Sequence, residues 1–299
     1  MSPKKNRPKQ YPEIPIKSWK DFEEIVSSSQ YSDWAFRGQE DQTWPLNSSL
    51  ARYLSDFKVH KDVWAHQEDR ILRIFRRKAH LFLEHIPAED NVYEWLALMQ
   101  HHGAPTRLLD FTWSPFVAAF FALEKARTNA AVWAINIKEI KTANRTITRQ
   151  YPLFKEPNQN RDEPVVLAPR TQEIYYRFYI ENTIRDRVPF VSTGEPFNMS
   201  QRIIAQSGTF VVPGVLHLSV DEILSTYPAP ETIMAKFVLD LDRIREDAMK
   251  SLYLMNITNA TLFPGLDGMA RSLSYELEFH WDFNPKTAEH YEKYLANLG

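Results

Sequence analysis

The stretch QHHGAPTRLLDFTWSP, residues 100–115, decides the fold class of this chain. An apolar helical pattern precedes it, and Gly103 supplies the left-handed residue that ends many helices. Residues 108–111 have the composition of a short buried strand, and Ser114 with Pro115 supplies an N-cap and a first helical turn. Helix, strand and helix follow one another here, which favours a mixed α+β fold over a doubly wound parallel sheet.

The elements predicted on either side of this stretch alternate irregularly. We therefore expect an α+β fold in which a mixed, mostly antiparallel central sheet is flanked by helices. Hydrophobic periodicity and turn signals predict strands at 33–36, 131–137, 188–192, 209–212 and 234–239, and helices at 61–86, 92–102, 116–126, 200–206, 242–254 and 266–279. Residues 140–169 are polar and contain four prolines, and we predict a long loop or insertion there.

The chain divides into three parts by composition. Residues 1–17 begin with a basic, proline-containing run and are predicted to be a disordered arm, either a solvated tail or an electrostatic handle for nucleic acid or an acidic partner. Residues 18–281 are predicted to form a single domain, and residues 282–299 a C-terminal helix. The 299 residues are enough for one large domain.

Composition excludes several classes of function. The net charge of −2 gives no global case for a nucleic-acid-binding protein. The absence of cysteine excludes disulfides, thiolate metal sites and cysteine nucleophiles, and fits a cytoplasmic location. No apolar run approaches the roughly 18 residues that a membrane span needs, so no membrane partner is expected.

A second short motif, WAFRGQ at residues 34–39, places Arg37 after an apolar strand and before Gly38. The planar guanidinium group suits phosphate oxygens, and glycine allows a ligand or a backbone to approach closely. Two interpretations remain open for Arg37. It binds an anionic ligand, or it bonds to sheet carbonyls and pairs with a buried acid such as Asp110.

The two neighbouring histidines of the first stretch are predicted to lie in the last turn of a helix. Side chains of consecutive helical residues point about 100° apart, so His101 and His102 cannot both serve one site directly. They lack the His-x-x-x-His spacing of a zinc pair, and we predict no metal site. Glycine-rich phosphate-binding loops and the Gly-x-Ser-x-Gly elbow are also absent from the sequence.

Two further groups of polar residues have both structural and functional interpretations. Arg107 and Asp110 form either a buried ion pair or hydrogen-bond network that holds the loop, or a second layer that orients His101 and Thr106. Gln206 either binds a ribose hydroxyl or an amide, or bonds to backbone at a helix end. The basic run Arg70–Lys78 is a solvated face or a site for an anionic partner.

These blocks together resemble the FRG domain family, named for its Phe-Arg-Gly motif. The resemblance spans roughly residues 19–275 and rests on ordered blocks that occur in the family's sequence. They are Phe36-Arg37-Gly38-Gln39, Trp44-x-Leu46 with Arg52, the block from His101 to Asp110, the small-residue helix 115–122, Arg202 with Gln206-x-Gly208-x-Phe210, and Leu262-Phe263-Pro264 with Leu266-Asp267-Gly268. This chain departs from the family at His102, Phe111 and Gly265.

The resemblance implies a fold and motif layout similar to ADP-ribosyltransferases, and hence NAD as a substrate. By that likeness Arg37, His101 and Gln206 are the expected catalytic residues. The expected NAD-binding residues are Arg37, Gly38, Gln39, His101, Thr106 and Thr112. Gln206 occupies the position at which those enzymes carry an acid. A glutamine cannot supply the negative charge that stabilises an oxocarbenium-like transition state. Either the acid comes from elsewhere, with Glu173, Glu181 and Glu195 as candidates, or the fold is shared with those enzymes and the chemistry is not.

The same resemblance implies a bacterial cytoplasmic toxin or anti-phage defence effector. Its expected acceptor is RNA, DNA or protein, and its expected partner an antitoxin or regulatory protein. Two other functions remain open at this point. One is a non-catalytic module that binds a nucleotide or nucleic acid through the same residues. The other is a nuclease, which needs a cluster of acids to hold metal and is ranked last because Asp110 stands alone in its block.

Overall fold

A seven-stranded sheet forms the centre of the molecule in the computed structural model, which describes residues 11–154, 167–279 and 295–296. The strand order is β1-β7-β4-β2-β3-β6-β5, and every neighbouring pair is antiparallel except β1 and β7. The predicted mixed, mostly antiparallel sheet is confirmed. The strands are β1 (Glu13–Ile16), β2 (Trp34–Gln39), β3 (Leu109–Thr112), β4 (Ala130–Asn136), β5 (Val191–Gly194), β6 (Gly208–Pro213) and β7 (Met234–Leu239).

Helices cover both faces of this sheet. They are α1 (Trp19–Val26), α2 (Ser49–Asp56), α3 (Trp64–Ala79), α4 (Val92–His101), α5 (Pro115–Leu123), α6 (Ile137–Gln150), α7 (Gln172–Tyr175), α8 (Asn182–Ile184), α9 (Gln201–Ala205), α10 (Val220–Leu224), α11 (Pro230–Ile233), α12 (Leu241–Leu254), α13 (Asn259–Leu262) and α14 (Leu266–Phe279). Short 3₁₀ turns occupy Ser29–Tyr31, Lys61–Val63 and Pro152–Phe154, and the π-helical turn Tyr176–Glu181 joins α7 to α8.

The side chains of β2 and β4 alternate between two hydrophobic clusters, as the two-residue period of a strand requires. Ala35 and Trp133 belong to the larger cluster, with side chains of α3, α4, α6 and the π-helical turn. Phe36 and Val132 belong to the other cluster, with side chains of α1, α5 and α12. Each face of the sheet is therefore buried under its own layer of helices.

Three predicted elements agree closely with the structure in their residue bounds. Residues 92–101 form α4, with Asn91 capping its first turn, and residues 234–239 and 266–279 form β7 and α14. The helix predicted at 61–86 is wrong at its end, because α3 stops at Ala79. Phe82 turns back onto the carbonyl of Ala79 and leaves its ring 84% exposed.

The prediction of a loop from residue 140 is also wrong for its first part. Asn136 caps α6, and Ile140, Ala143 and Ile147 recur at helical spacing on its buried face. This signal is weakened by the many polar residues between them, and Pro152 ends the helical run. Residues 155–166 lie outside the described residues.

The two ends of the chain bear on the predicted arm and C-terminal helix. Residues 13–16, placed in the predicted arm, form β1, which pairs in parallel with β7 and buries Ile16. Residues 1–10 lie outside the described residues. Of the predicted C-terminal helix 282–299, only residues 295–296 are described, and they are helical.

Arg107 forms a buried ion pair, but its partner is Glu68 of α3 and not Asp110. Its Nε donates to Glu68 Oε1 at 2.6 Å, its Nη2 contacts Glu68 Oε2, and its Nη1 donates to the carbonyl of Pro213 at 3.0 Å. Burial opposes the charge, yet the Glu68 carboxylate raises the pKa of Arg107 above its ordinary value. The network connects α3 to the end of β6, and neither Arg107 nor Glu68 lines the cavity described below.

Candidate functional site

A cavity of about 570 Å³ opens beside the centre of the sheet, where β2 and β3 meet α2, α5 and α9. This volume lies within the range of ordinary small-molecule sites. Its polar lining includes three arginines, two carboxylates and three side-chain amides: Arg37, Arg52, Arg202, Glu40, Asp110, Gln39, Asn47 and Gln206. Thr112 and Gly38 also line it, together with the aromatic rings of Phe36, Trp44, Phe111 and Phe121.

Arg37 lies within β2, two residues before its end, and pairs with Trp133 of β4 in the sheet register. Its Nη1 donates to the main-chain oxygen of Asp110 at 2.5 Å. Its Nε is buried and has no hydrogen-bond partner among the described residues. Burial lowers the pKa of Arg37, the Asp110 charge opposes this, and Arg52 adds to the lowering. A buried guanidinium with an unused donor favours an anionic ligand.

Two further arginines reach the same cavity from separate helices. Arg52 of α2 is exposed and donates from Nη1 to the carbonyl of Asn47 at 2.9 Å. Arg202 of α9 is partly buried, and its guanidinium carbon lies 4.7 Å from the centre of the Phe263 ring. These three positive charges exceed the two negative charges of Asp110 and Glu40, and like charges at close range repel each other. The lining therefore favours an anionic ligand, whose charge would reduce this repulsion.

Gly38 and Gln39 line the cavity as expected, but both make close contacts with other residues of the protein. A Cβ atom on Gly38 would stand 2.0 Å from the carbonyl oxygen of Ala118, so glycine allows α5 to pack directly on β2. The Gln39 amide donates to the Pro45 carbonyl at 3.2 Å and accepts from Trp133 Nε1 at 2.7 Å. The close approach that Gly38 permits is that of a helix backbone.

Thr112 and Gln206 meet at the edge of the cavity. Thr112 Oγ1 donates to the main-chain oxygen of Gln206 at 2.7 Å and accepts from the amide of Ser114. Gln206 is the C-cap of α9, and its Nε2 donates to the carbonyl of Leu262 at 3.0 Å. Gln206 therefore bonds to backbone at a helix end, as its structural interpretation predicted, and it also lines the cavity.

His101 and Thr106 are expected site residues that do not line the cavity. His101 lies in the last turn of α4 and its Nδ1 is buried without a hydrogen-bond partner among the described residues. Burial lowers the pKa of His101, and His102 and Arg202 lower it further. Thr106 is buried, and its hydroxyl donates to Gln100 Oε1 at 2.6 Å.

Gln100 connects Thr106 to the cavity, and the sequence analysis did not select it. Its Nε2 donates to Asp110 Oδ2 at 2.8 Å while its Oε1 accepts from Thr106. The Asp110 side chain is exposed and lines the cavity. The signal available in the sequence was position alone, because Gln100 comes directly before the two histidines.

The three glutamates expected to supply an acid do not line the cavity. Glu173 lies in α7 and Glu181 at the end of the π-helical turn, and both are exposed. Glu195 accepts from Trp113 Nε1 at 3.2 Å. Among the described residues, the carboxylates of the cavity are those of Asp110 and Glu40.

Within residues 11–154, 167–279 and 295–296, no group of three or more His, Asp or Glu side chains is arranged to hold a metal ion. The same residues contain no helix with the length and apolar character needed to cross a membrane.

Part of the chain is similar to a known protein family. The family model of the FRG domain matches residues 32–131, a segment that contains Arg37, Arg52, Gln100 and Asp110. No curated protein and no solved structure matches the chain.

Proposed function

Because residues 32–131 match the family model of the FRG domain, we propose that this chain is an ADP-ribosyltransferase that takes NAD as its substrate and modifies a macromolecule. The observation that carries the proposal is the meeting of Arg37, Arg52 and Arg202 on one cavity. NAD carries two adjacent phosphates, and arginine forks bind phosphate oxygens through paired, charge-assisted hydrogen bonds.

The rest of the lining suits the other parts of a dinucleotide. Trp44 is 50% exposed and Phe121 is partly buried at the cavity, so both offer ring faces to an adenine or nicotinamide ring. Gln206, with one amide hydrogen bonded to Leu262, retains acceptor capacity for a ribose hydroxyl. His101 lies in the last turn of α4 and is not part of this lining.

The reaction breaks the bond between the nicotinamide nitrogen and ribose C1′. The bonding electron pair stays on nitrogen, so nicotinamide leaves as a neutral molecule and the positive charge moves to C1′ and the ring oxygen. A lone pair of the acceptor then forms the new bond to C1′, and the acceptor's proton passes to water. Arginines that hold the pyrophosphate fix the ribose while this charge develops.

The acceptor is expected to be a macromolecule that carries negative charge. Helix α3 presents Arg70, Arg77 and Lys78 to solvent, a basic face suited to phosphate backbones. RNA and DNA are therefore the first acceptors to test, with protein as the third. We extend the proposal to a role as a toxin or anti-phage defence effector, with an antitoxin or regulatory protein as its partner.

A non-catalytic binding module is the second candidate function, and one observation favours it. Gln206 is uncharged and bonded to Leu262, so the position that resembles the catalytic acid of ADP-ribosyltransferases carries no negative charge. Such a module would bind the same phosphates through the three arginines and release no nicotinamide.

Transfer of label from adenylate-labelled NAD tests the proposed function. The purified protein is incubated separately with RNA, DNA and cell lysate, alongside Arg37→Lys and Arg145→Ala variants. Arg145 is an exposed residue of α6 and does not line the cavity. We expect label on one acceptor pool with wild type and Arg145→Ala.

The Arg37→Lys variant keeps the charge but loses the guanidinium fork, so its transfer is expected to fall at least about tenfold. Binding of NAD without transfer or nicotinamide release would support the binding module instead. Equal transfer by Arg37→Lys and wild type would contradict the role of the cavity.

A further inference from the structure

The side-chain amide of Gln100 is held between a hydroxyl and a carboxylate. The amide hydrogen of Leu108 is donated to Thr106 Oγ1 at 3.1 Å, and Thr106 Oγ1 in turn donates to Gln100 Oε1 at 2.6 Å. On its other side, Gln100 Nε2 donates to Asp110 Oδ2 at 2.8 Å. These contacts form a chain of donors that runs from the backbone to the cavity.

The hydrogen bonds of this series can run in one direction only. Reversal of the Gln100 amide would place its oxygen against a carboxylate oxygen of Asp110, an arrangement of two acceptors with no donor between them. The fixed amide therefore holds one oxygen of Asp110 in place. Arg37 donates to the main-chain oxygen of Asp110, so this hydrogen bond does not use the carboxylate oxygens, although the Asp110 charge still acts on Arg37.

Asp110 consequently presents a negative charge at a fixed position in a cavity where three guanidinium groups are positive. A ligand that carries phosphates alone satisfies the arginines and is repelled by Asp110. A ligand that also carries a positive group satisfies both signs of charge. Oxidised NAD is such a ligand, because its nicotinamide ring is cationic while its pyrophosphate is anionic.

We propose that Asp110 makes this cavity selective for the oxidised, cationic form of the dinucleotide, and that Gln100 and Thr106 are its positioning residues. The inference rests on the proposed function, since it takes the dinucleotide as the ligand. NADH has the same phosphates and ribose hydroxyls as NAD, but its nicotinamide ring is neutral. The two forms therefore isolate the contribution of charge at the nicotinamide end.

Equilibrium titration of NAD and NADH into wild type and an Asp110→Asn variant tests the inference. Asparagine retains an oxygen that accepts from Gln100 but carries no charge. We expect wild type to bind NAD roughly fivefold to tenfold more tightly than NADH, as one charge-assisted contact would give. We expect the dissociation constants of Asp110→Asn for the two forms to agree within about twofold, and no loss of NADH affinity.

A Glu40→Gln variant assigns the effect to one of the two carboxylates of the cavity. If Glu40→Gln loses the preference and Asp110→Asn keeps it, the assignment to Asp110 is wrong. Equal binding of NAD and NADH by wild type would overturn the inference while leaving the dinucleotide site intact. Binding of neither form would overturn the proposed function itself.

Variants of Thr106 test the positioning role separately from folding. Thr106→Ser keeps the hydroxyl that donates to Gln100, whereas Thr106→Val removes it at similar volume. We expect the ratio of NAD to NADH affinity to be retained in Thr106→Ser and reduced in Thr106→Val. If both variants fold and show the wild-type ratio, the chain of donors does not position Asp110.

Discussion

Gly38 shows how the same glycine can be explained by a ligand or by packing. Its two expected reasons were close approach of a ligand and close approach of a backbone. The structure assigns it to packing, because the Ala118 carbonyl and the Ala122 amide of α5 lie 2.0 and 2.6 Å from the position of a Cβ atom. The sequence shows that residue 38 is glycine, but it does not show which neighbouring atoms leave no room for a side chain.

A Gly38→Ala substitution is therefore expected to destabilise the fold strongly. The clash is with main-chain atoms of a helix, which cannot move aside as a side chain can, so we expect a loss of about 3 kcal/mol or more in the free energy of unfolding. Gly103→Ala is the matched control. Gly103 has φ +77° and no atom within 4 Å, so its cost is limited to about 1–2 kcal/mol of backbone strain. Urea titration measures both variants, and equal losses would contradict the packing role of Gly38.

Arg107 shows how a partner distant in sequence escapes prediction. Its burial in an ion pair was one of the interpretations of the first stretch, with Asp110 as the partner closest in sequence. Glu68 lies 39 residues earlier on α3 and takes that place. Local spacing could not reveal it, because the contact depends on how α3 packs against the sheet.

Removal of the Arg107 side chain leaves the Glu68 carboxylate buried without its partner. We expect Arg107→Ala to lower the free energy of unfolding by about 3–5 kcal/mol, the range for a broken buried pair. Replacement of both residues by apolar side chains, Arg107→Met with Glu68→Leu, is expected to recover much of that loss. Chemical denaturation followed by circular dichroism gives both values. A loss of under about 1 kcal/mol for Arg107→Ala would show that the pair contributes little.

At the scale of elements, helix α4 and the turn after it bring the first stretch to the cavity. Their prediction succeeded because the signals are local: Asn91 caps α4, Gly103 has the expected positive φ, and Ser114 caps α5. The prediction of α3 failed at its C-terminal end, because the apolar pattern continues past Ala79, where the helix ends and the chain turns.

The end of α4 also predicts a pH dependence. Because burial, with His102 and Arg202, lowers the pKa of His101, the folded chain binds its proton less readily than the unfolded chain does. Below about pH 6.5, the ordinary histidine pKa, the unfolded state gains more protons and stability falls; above it this contribution is constant.

Thermal unfolding midpoints measured from about pH 5 to pH 7.5 test this sign. We expect a His101→Gln variant to lose less stability than wild type as the pH falls below about 6.5. His66→Gln, a change at an exposed position of α3, is the control and is expected to follow wild type. A His101→Gln variant with the full wild-type loss on acidification would show that this histidine does not titrate in the expected direction.

At the scale of the whole molecule, the class of fold followed from the sequence and the strand order did not. The alternation of elements predicted a mixed sheet, but pairing between strands as distant as β1 and β7 depends on contacts across the chain. The cavity has the same origin. Its three arginines come from β2, α2 and α9, and only the assembled sheet brings Arg37, Arg52 and Arg202 together.

Calorimetric titration of NAD into the folded protein tests this assembled cavity most directly. Arg52 is exposed and its hydrogen bond among the described residues is the local one to Asn47, so Arg52→Ala should remove a phosphate contact without disturbing the core. We predict saturable binding of NAD by wild type and Arg145→Ala, and affinity weaker by about tenfold or more in Arg52→Ala and in Arg202→Ala. Unchanged affinity in both cavity variants, or no binding by the folded wild type, would contradict the account.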